Sequence, residues 1–282
     1  MRTITKEKIK EFRQRLLQDE KSKSTLEKYM RDITAFYAWL EERKITEIDK
    51  QAVLEYKDSL CATYATSSVN SMLSSLNSFF DLCEWYELKV KTIKQQRKIF
   101  TQKEKELTKA EYTRLLNAAK EKKNERLYLL MQTVCSTGIR VSELKYITVQ
   151  SLKSGCAEIS CKGKRRIVFL PNDLCLMLKG YASTQNIKSG SVFVTKNGKP
   201  LDRSNIWSDM KKLCKYAGVS EKKVFPHNLR HLFARTYYSI QKDIVRLADL
   251  LGHASVNTTR IYTMESGEVH RRQIQKLGLL RC

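Results

Sequence analysis

Apolar residues recur at helical spacing along most of the chain. In STLEKYMRDITAFYAWL, Leu26, Tyr29, Met30, Ile33, Phe36, Tyr37 and Leu40 share one face, and Ser24 with Glu27 has capping-box spacing. The pattern predicts an amphipathic helix over residues 24–42. TSSVNSMLSSLNSFF repeats it through Val69, Met72, Leu73, Leu76, Phe79 and Phe80, which predicts a helix from about Ser67, with another over 50–62 between the two. After Trp85 and Tyr86 the period fades into ELKVKTIKQQRKIFTQKEKE, where Lys89, Lys91, Lys94, Arg97, Lys98, Lys103 and Lys105 face few acids; residues 89–105 read as a basic linker.

A second capping box, Thr108 with Glu111, opens a new helical stretch that runs to about Thr137, where Gly138 can end it. The period then shortens to two. CAEISCKGKRRIVFLP predicts two strands around a glycine-bearing basic turn, and SVFVTKNGKP predicts a further short strand with an Asn197-Gly198 turn. From Asn205 the chain is helical again, and Ile244, Leu247, Leu250 and Leu251 mark a core helix that ends in LGH, carrying His253. The expected fold is mainly α. A helical domain over 1–88 is followed by the linker and by a mainly helical domain over 106–282 with a small antiparallel β-sheet.

Composition narrows the partner. The formal charge of +23 on 282 residues favours a polyanion such as nucleic acid, and the linker cations suit its phosphate backbone. An apolar share of 41% fills cores of this size without staples. No apolar run is long enough to span a membrane, and MRTITKEKIKEF is a charged helical pattern rather than a signal core, so a soluble cytoplasmic protein is expected. Cys61, Cys83, Cys135, Cys156, Cys161, Cys175, Cys214 and Cys282 form no CxxC pair, which argues against a zinc site and for buried free thiols.

Three separated segments carry residue types suited to one phosphate. TGIRVSELKYI places Arg140 just after the Gly138 helix stop; PHNLRHLFART places His227 and Arg230 three apart, on one face of a helix; LLGHASVNTTRIYT places His253 nine residues before Tyr262. A phosphodiester under attack gathers negative charge, and an arginine fork grips two phosphate oxygens while staying charged. A tyrosine hydroxyl ordinarily titrates near ~10 and must lose its proton as it attacks.

In this order and spacing the residues resemble the tyrosine recombinase (phage integrase) family, strongly over about 106–282 and more weakly over 1–88, where the helices are similar to its SAM-like core-binding domain. The resemblance implies that Tyr262 is the covalent nucleophile, Arg140 and Arg230 clamp the phosphate, His227 is the general base, and His253 donates to a non-bridging oxygen. It also implies a leaving-group acid from the hairpin lysine. Lys162 in CKGKRRIV matches the family's GKG-type turn, in a turn one residue shorter than is common, and Lys164 is the reserve. Glu143 is similar to an acidic position that orients site groups, although a helix salt bridge explains it equally well. His231, directly after Arg230, is assigned to packing, and His270 has no role.

The implied reaction is DNA cleavage and rejoining through a 3′-phosphotyrosyl link, without ATP, metal or other cofactor. The implied partner is double-stranded DNA with inverted half-sites, clamped between the two domains and bound by a homotetramer, alone or with a related recombinase, on synapsed sites. The apolar residues Val269, Ile274, Leu277 and Leu280 of the last segment are expected to dock on a neighbouring protomer. The chain starts directly with the core-binding-like domain, which favours a simple Xer-like enzyme. A type IB topoisomerase and a catalytically silent DNA-binding relative are the alternatives.

Overall fold

A computed structural model describes residues 2–94, 103–161, 164–195, 197–263, 271–272 and 274–277. Two compact units divide at Arg97 and Lys98, and each has its own core. Among the described residues no helix is long and apolar enough to cross a membrane.

The first unit holds α1 (Lys6–Gln18), α2 (Lys23–Glu42), α3 (Lys50–Thr63) and α4 (Thr66–Leu82). The expected face of α2 turns inward, with Leu26, Ile33, Phe36 and Leu40 buried. Its start differs from expectation. Ser22, not Ser24, is the N-cap and accepts the Thr25 amide at 3.3 Å, which brings Ser24 inside the helix. Phe79 and Phe80 of α4 meet Phe12, Phe36 and Trp85 in an aromatic core. Buried Asp32 crosses from α2 to α4 by accepting from Lys28 Nζ at 2.6 Å and Ser75 Oγ at 2.7 Å. Asn77 and Asn70 each bond both backbone groups of one residue, Val90 and Ile93, and so lay the segment after α4 along that helix. Residues 95–102, Arg97 and Lys98 among them, lie outside the described residues.

The second unit starts at α5 (Lys109–Glu121), where the Thr108–Glu111 capping box closes in both directions. It continues through α6 (Glu125–Thr137), α7 (Val149–Ser154), β1 (Cys156–Cys161), β2 (Lys164–Phe169) and α8 (Asn172–Thr184). The last helices are α9 (Arg203–Ala217), α10 (Pro226–Gln241), α11 (Ile244–Leu251) and α12 (Val256–Thr259). The sheet is a two-stranded antiparallel hairpin in which Cys156 faces Phe169 and Cys161 faces Lys164. Ala157, Ile159, Val168 and Leu170 turn into the core, while Ile167 and Phe169 face out.

The further strand expected in SVFVTKNGKP does not form. Thr148 with Ser191 and Val194 with Pro200 make isolated bridges only, because Pro200 has no amide hydrogen to extend a ladder. The Gly198 turn is present, with φ at +74° and its amide on the Thr195 carbonyl at 2.9 Å. The thiols are less buried than expected: Cys175 and Cys214 are buried, Cys83, Cys135 and Cys156 are intermediate, and Cys61 is exposed. Cys61 follows the inward Leu60 on α3 and so turns to the solvent side.

Candidate active site

Gly138 ends α6 in the left-handed conformation, φ +64°, and a Cβ there would sit 2.5 Å from the Phe233 ring of α10. The glycine therefore both stops the helix and lets α10 pack close behind it. Arg140 follows and caps a short 3-10 helix, Val141–Tyr146. Glu143 accepts from the Arg140 amide at 3.0 Å and from Arg140 Nη1 at 2.9 Å. Burial works to raise the Glu143 pKa, but the Arg140 amide and the Arg166 charge outweigh it and hold the carboxyl below its ordinary value.

Pro226 opens α10, and buried Asn228 fixes its first turn by donating to the Lys105 and Lys223 carbonyls at 2.9 and 2.7 Å. His227 and Arg230 then face a cleft of about 340 Å³ lined also by Arg140, Arg203 and Trp207. Arg230 is 1% exposed. It donates from Nη1 to the Gly138 carbonyl at 2.5 Å and from Nη2 to the Leu251 carbonyl at 2.7 Å, tying the ends of α6 and α11 together. Burial, then the nearby Arg140 charge, pulls its pKa to about 10, still well above neutrality.

Arg230 Nη2 also meets His253 Nε2 at 3.1 Å, and His253 Nδ1 meets the buried Thr259 hydroxyl at 2.8 Å. Burial and the surrounding arginines push the His253 pKa down to about 4, and burial followed by Arg230, Arg140 and Arg203 lowers that of His227. Both shifts favour the neutral imidazole, the form that can accept a proton. Tyr262 closes a short 3-10 turn after α12 and is 4% exposed, packed with Ala234, Leu247 and Leu251.

The structure thus brings Arg140, His227, Arg230 and His253 together, with Tyr262 beside His253 at a ring separation of 6.1 Å. Lys162 lies outside the described residues, as does His270; Lys164 is placed by its backbone as the first residue of β2.

Two side chains exceed their sequence reading. His231 packs edge-on between His227 at 4.6 Å and Tyr262 at 5.0 Å, rather than away from the site. The reason is that His231 stands four residues after His227 and so shares its face. The ring belongs to the packing around Tyr262, with its pKa pushed by burial to about 4. Arg166, on β2, donates to Glu143 Oε2 at 2.6 Å. Its signal in the sequence is a charge at an inward position of an alternating strand, two residues before Val168.

A family model described as "Phage integrase family" matches residues 105–268, and one described as "Phage integrase, N-terminal SAM-like domain" matches 9–86. The chain belongs to the phage integrase family. It is a tyrosine recombinase, an enzyme of site-specific DNA recombination. It is 28% identical to the tyrosine recombinase XerA of Pyrococcus furiosus over 99% of this chain and 96% of that one. It is 31% identical to XerD of Staphylococcus saprophyticus over 98% of this chain and 97% of that one. A solved lambda integrase tetramer bound to a Holliday junction shares the fold, with TM-score 0.70 and 20% identity over 92% of this chain and 77% of that one. The mainly helical fold, with a SAM-like N-terminal domain and a small antiparallel sheet, is that of the family.

Proposed function

We propose that Tyr262 attacks the scissile phosphate of duplex DNA, its hydroxyl proton passing to His227. The new bond joins Tyr262 Oη to phosphorus at the 3′ side, and the 5′-oxygen leaves with a proton from Lys162, with Lys164 as the alternative. Arg140 and Arg230 hold the non-bridging oxygens, and His253 donates to one of them. A 5′-hydroxyl from the partner strand then reverses the step. The phosphotyrosyl ester conserves the phosphodiester's energy, so the exchange consumes no ATP.

The observation that carries this reading is the fixed Arg230, held by two carbonyls and touching His253 beside the Arg140 cleft. Two guanidinium groups preset around one position stabilise developing charge without reorganising during the reaction.

The proposed partner is DNA with inverted half-sites, bound by a homotetramer on paired sites, which matches the lambda integrase assembly on its junction. Lysines and arginines across the chain would follow its backbone. Ile274 and Leu277 of the last segment are exposed, and an apolar groove lined by Ile167, Phe169, Phe233 and Tyr237 offers a neighbour's segment a seat. We assign the protein to the cytoplasm and the 1–88, 89–105 and 106–282 segments to core binding, linkage and catalysis.

The test pairs two plasmids. One carries two copies of the DNA flanking the native gene and should yield recombinants; one lacks the site and should stay supercoiled. Relaxation of the second plasmid alone would make the protein a topoisomerase instead.

A further inference from the structure

Arg166 sits at an inward position of β2, with 14% of its side chain exposed. Its Nη1 donates to the Leu250 carbonyl at 2.6 Å and its Nη2 to Glu143 Oε2 at 2.6 Å. Its stem covers Gly252, where an added Cβ would clash with Arg166 Cδ. Glu143 and Gly252 also support Arg140. Glu143 Oε1 accepts from Arg140 Nη1 at 2.9 Å, and the Gly252 carbonyl accepts from Arg140 Nη2 at 3.3 Å. His253 is the next residue in the chain after Gly252. One half-buried guanidinium therefore touches the carboxylate that orients Arg140 and the turn that delivers His253.

Arg166 does not line the cleft that Arg140, His227 and Arg230 share, so it reaches substrate only through them. Its two terminal nitrogens are committed to the Leu250 carbonyl and to Glu143. Its fork reaches a carboxylate and a carbonyl at once, which a lysine's single ammonium cannot reproduce in the same plane. Glu143 in turn needs it. The carboxylate side chain is 4% exposed, and Arg140, the other cation beside it, is the group proposed to turn toward phosphate.

We propose that Arg166 is a positioning residue of the recombination reaction, holding Glu143 and the Leu250–Gly252 turn so that Arg140 and His253 face the scissile phosphate. The proposal rests on the reading of Arg140 as a phosphate clamp. With Arg166 present, Glu143 carries its charge against two cations and meets the Arg140 guanidinium through Oε1 alone. Without it, Glu143 is left buried with Arg140 alone, and the pair closes on itself at the expense of the substrate.

The test follows covalent adduct formation by the full chain on nicked duplexes whose scissile phosphate is either natural or a methylphosphonate. The methylphosphonate replaces one charged non-bridging oxygen by a methyl group, which lessens the need for a cationic clamp. On the natural duplex, Arg166→Met should slow the adduct by about 100-fold, the scale of a displaced catalytic group, with duplex affinity unchanged. Arg166→Lys should fall between Met and wild type. On the methylphosphonate, both Arg166→Met and Arg140→Ala should recover much of their loss. If Arg140→Ala recovers and Arg166→Met does not, or if Arg166→Met is as fast as wild type on the natural duplex, this proposal is overturned and the clamp reading stands. If Arg140→Ala shows no loss, the clamp reading fails and the proposal with it. Should Arg166→Met not fold, as judged by circular dichroism, the same comparison is made with Arg166→Lys.

Discussion

Arg230 and His253 meet at 3.1 Å, and the contact fixes the proton on the imidazole. A guanidinium only donates, so His253 Nε2 is the acceptor and the ring proton sits on Nδ1, where it is donated to Thr259 Oγ1 at 2.8 Å. Before His253 can donate from Nε2 to a phosphate oxygen, the ring must change tautomer or gain a proton. An anion placed between the two groups favours that change, since the cations that hold the His253 pKa down would then face a negative charge.

Thr259 is therefore expected to tune the site although it touches no substrate. Thr259→Val removes the acceptor of a buried hydrogen bond worth about 1 kcal/mol, or about fivefold in rate, while Thr259→Ser retains it. Single-turnover adduct formation should show the loss in Val and not in Ser, with a change in the ring nitrogen chemical shifts of His253.

Arg230 and Arg140 should differ in what their loss costs. Arg230 is buried and holds the Gly138 and Leu251 carbonyls, so Arg230→Ala should lower stability by about 3 kcal/mol as well as abolish cleavage. Arg140 is 37% exposed, and Arg140→Ala should lose cleavage with little change in stability. Urea unfolding beside adduct assays separates the two; equal destabilisation would contradict the assignment.

The histidines predict an acid limb of stability. The folded pKa of His231 and of His253 is about 4, against an ordinary value of 6.5. Between those values the unfolded chain binds protons that the fold excludes, so stability falls as pH drops from 6.5 toward 4 and is untouched by these groups above that range. Glu143, held below its ordinary 4.5, adds a loss of the same sign at still lower pH. Thermal unfolding across this window should be shallower in His231→Gln than in wild type. An unchanged slope would contradict the burial of that ring.

Removal of residues from 268 onward should leave half-site binding intact and weaken assembly on DNA, read by gel shift and sedimentation. Retained assembly would count against the groove beside Phe169 and Phe233 as the seat of the tail.

Much of this architecture is legible in the sequence because the helices are amphipathic: the Leu26–Leu40 stripe and the Thr108–Glu111 box lie where the periodicity puts them. The order Arg140, His227, Arg230, His253 and Tyr262 is equally visible, since joint spacing is specific where each residue alone is ordinary. What escaped depends on tertiary context. Ser22 and Ser24 are both plausible caps, and only the path of the chain before α2 chooses between them. Val192 and Phe193 read as strand residues, but the core takes them without a partner ladder. His231 follows Arg230 in sequence, but its spatial neighbours are His227 and Tyr262. Arg166 has no local partner at all; Glu143 and Leu250 reach it from 23 residues before and 84 after.

The central claim is that Tyr262 forms the covalent link. The most direct measurement incubates wild type and Tyr262→Phe with a nicked duplex that traps the cleaved state, then resolves the products under denaturing conditions and maps the modified peptide by mass spectrometry. Wild type should give a protein–DNA adduct whose phosphate sits on Tyr262, and Tyr262→Phe should give none while binding the duplex normally. An adduct in the Phe variant, or a wild-type phosphate on another residue, would contradict the account.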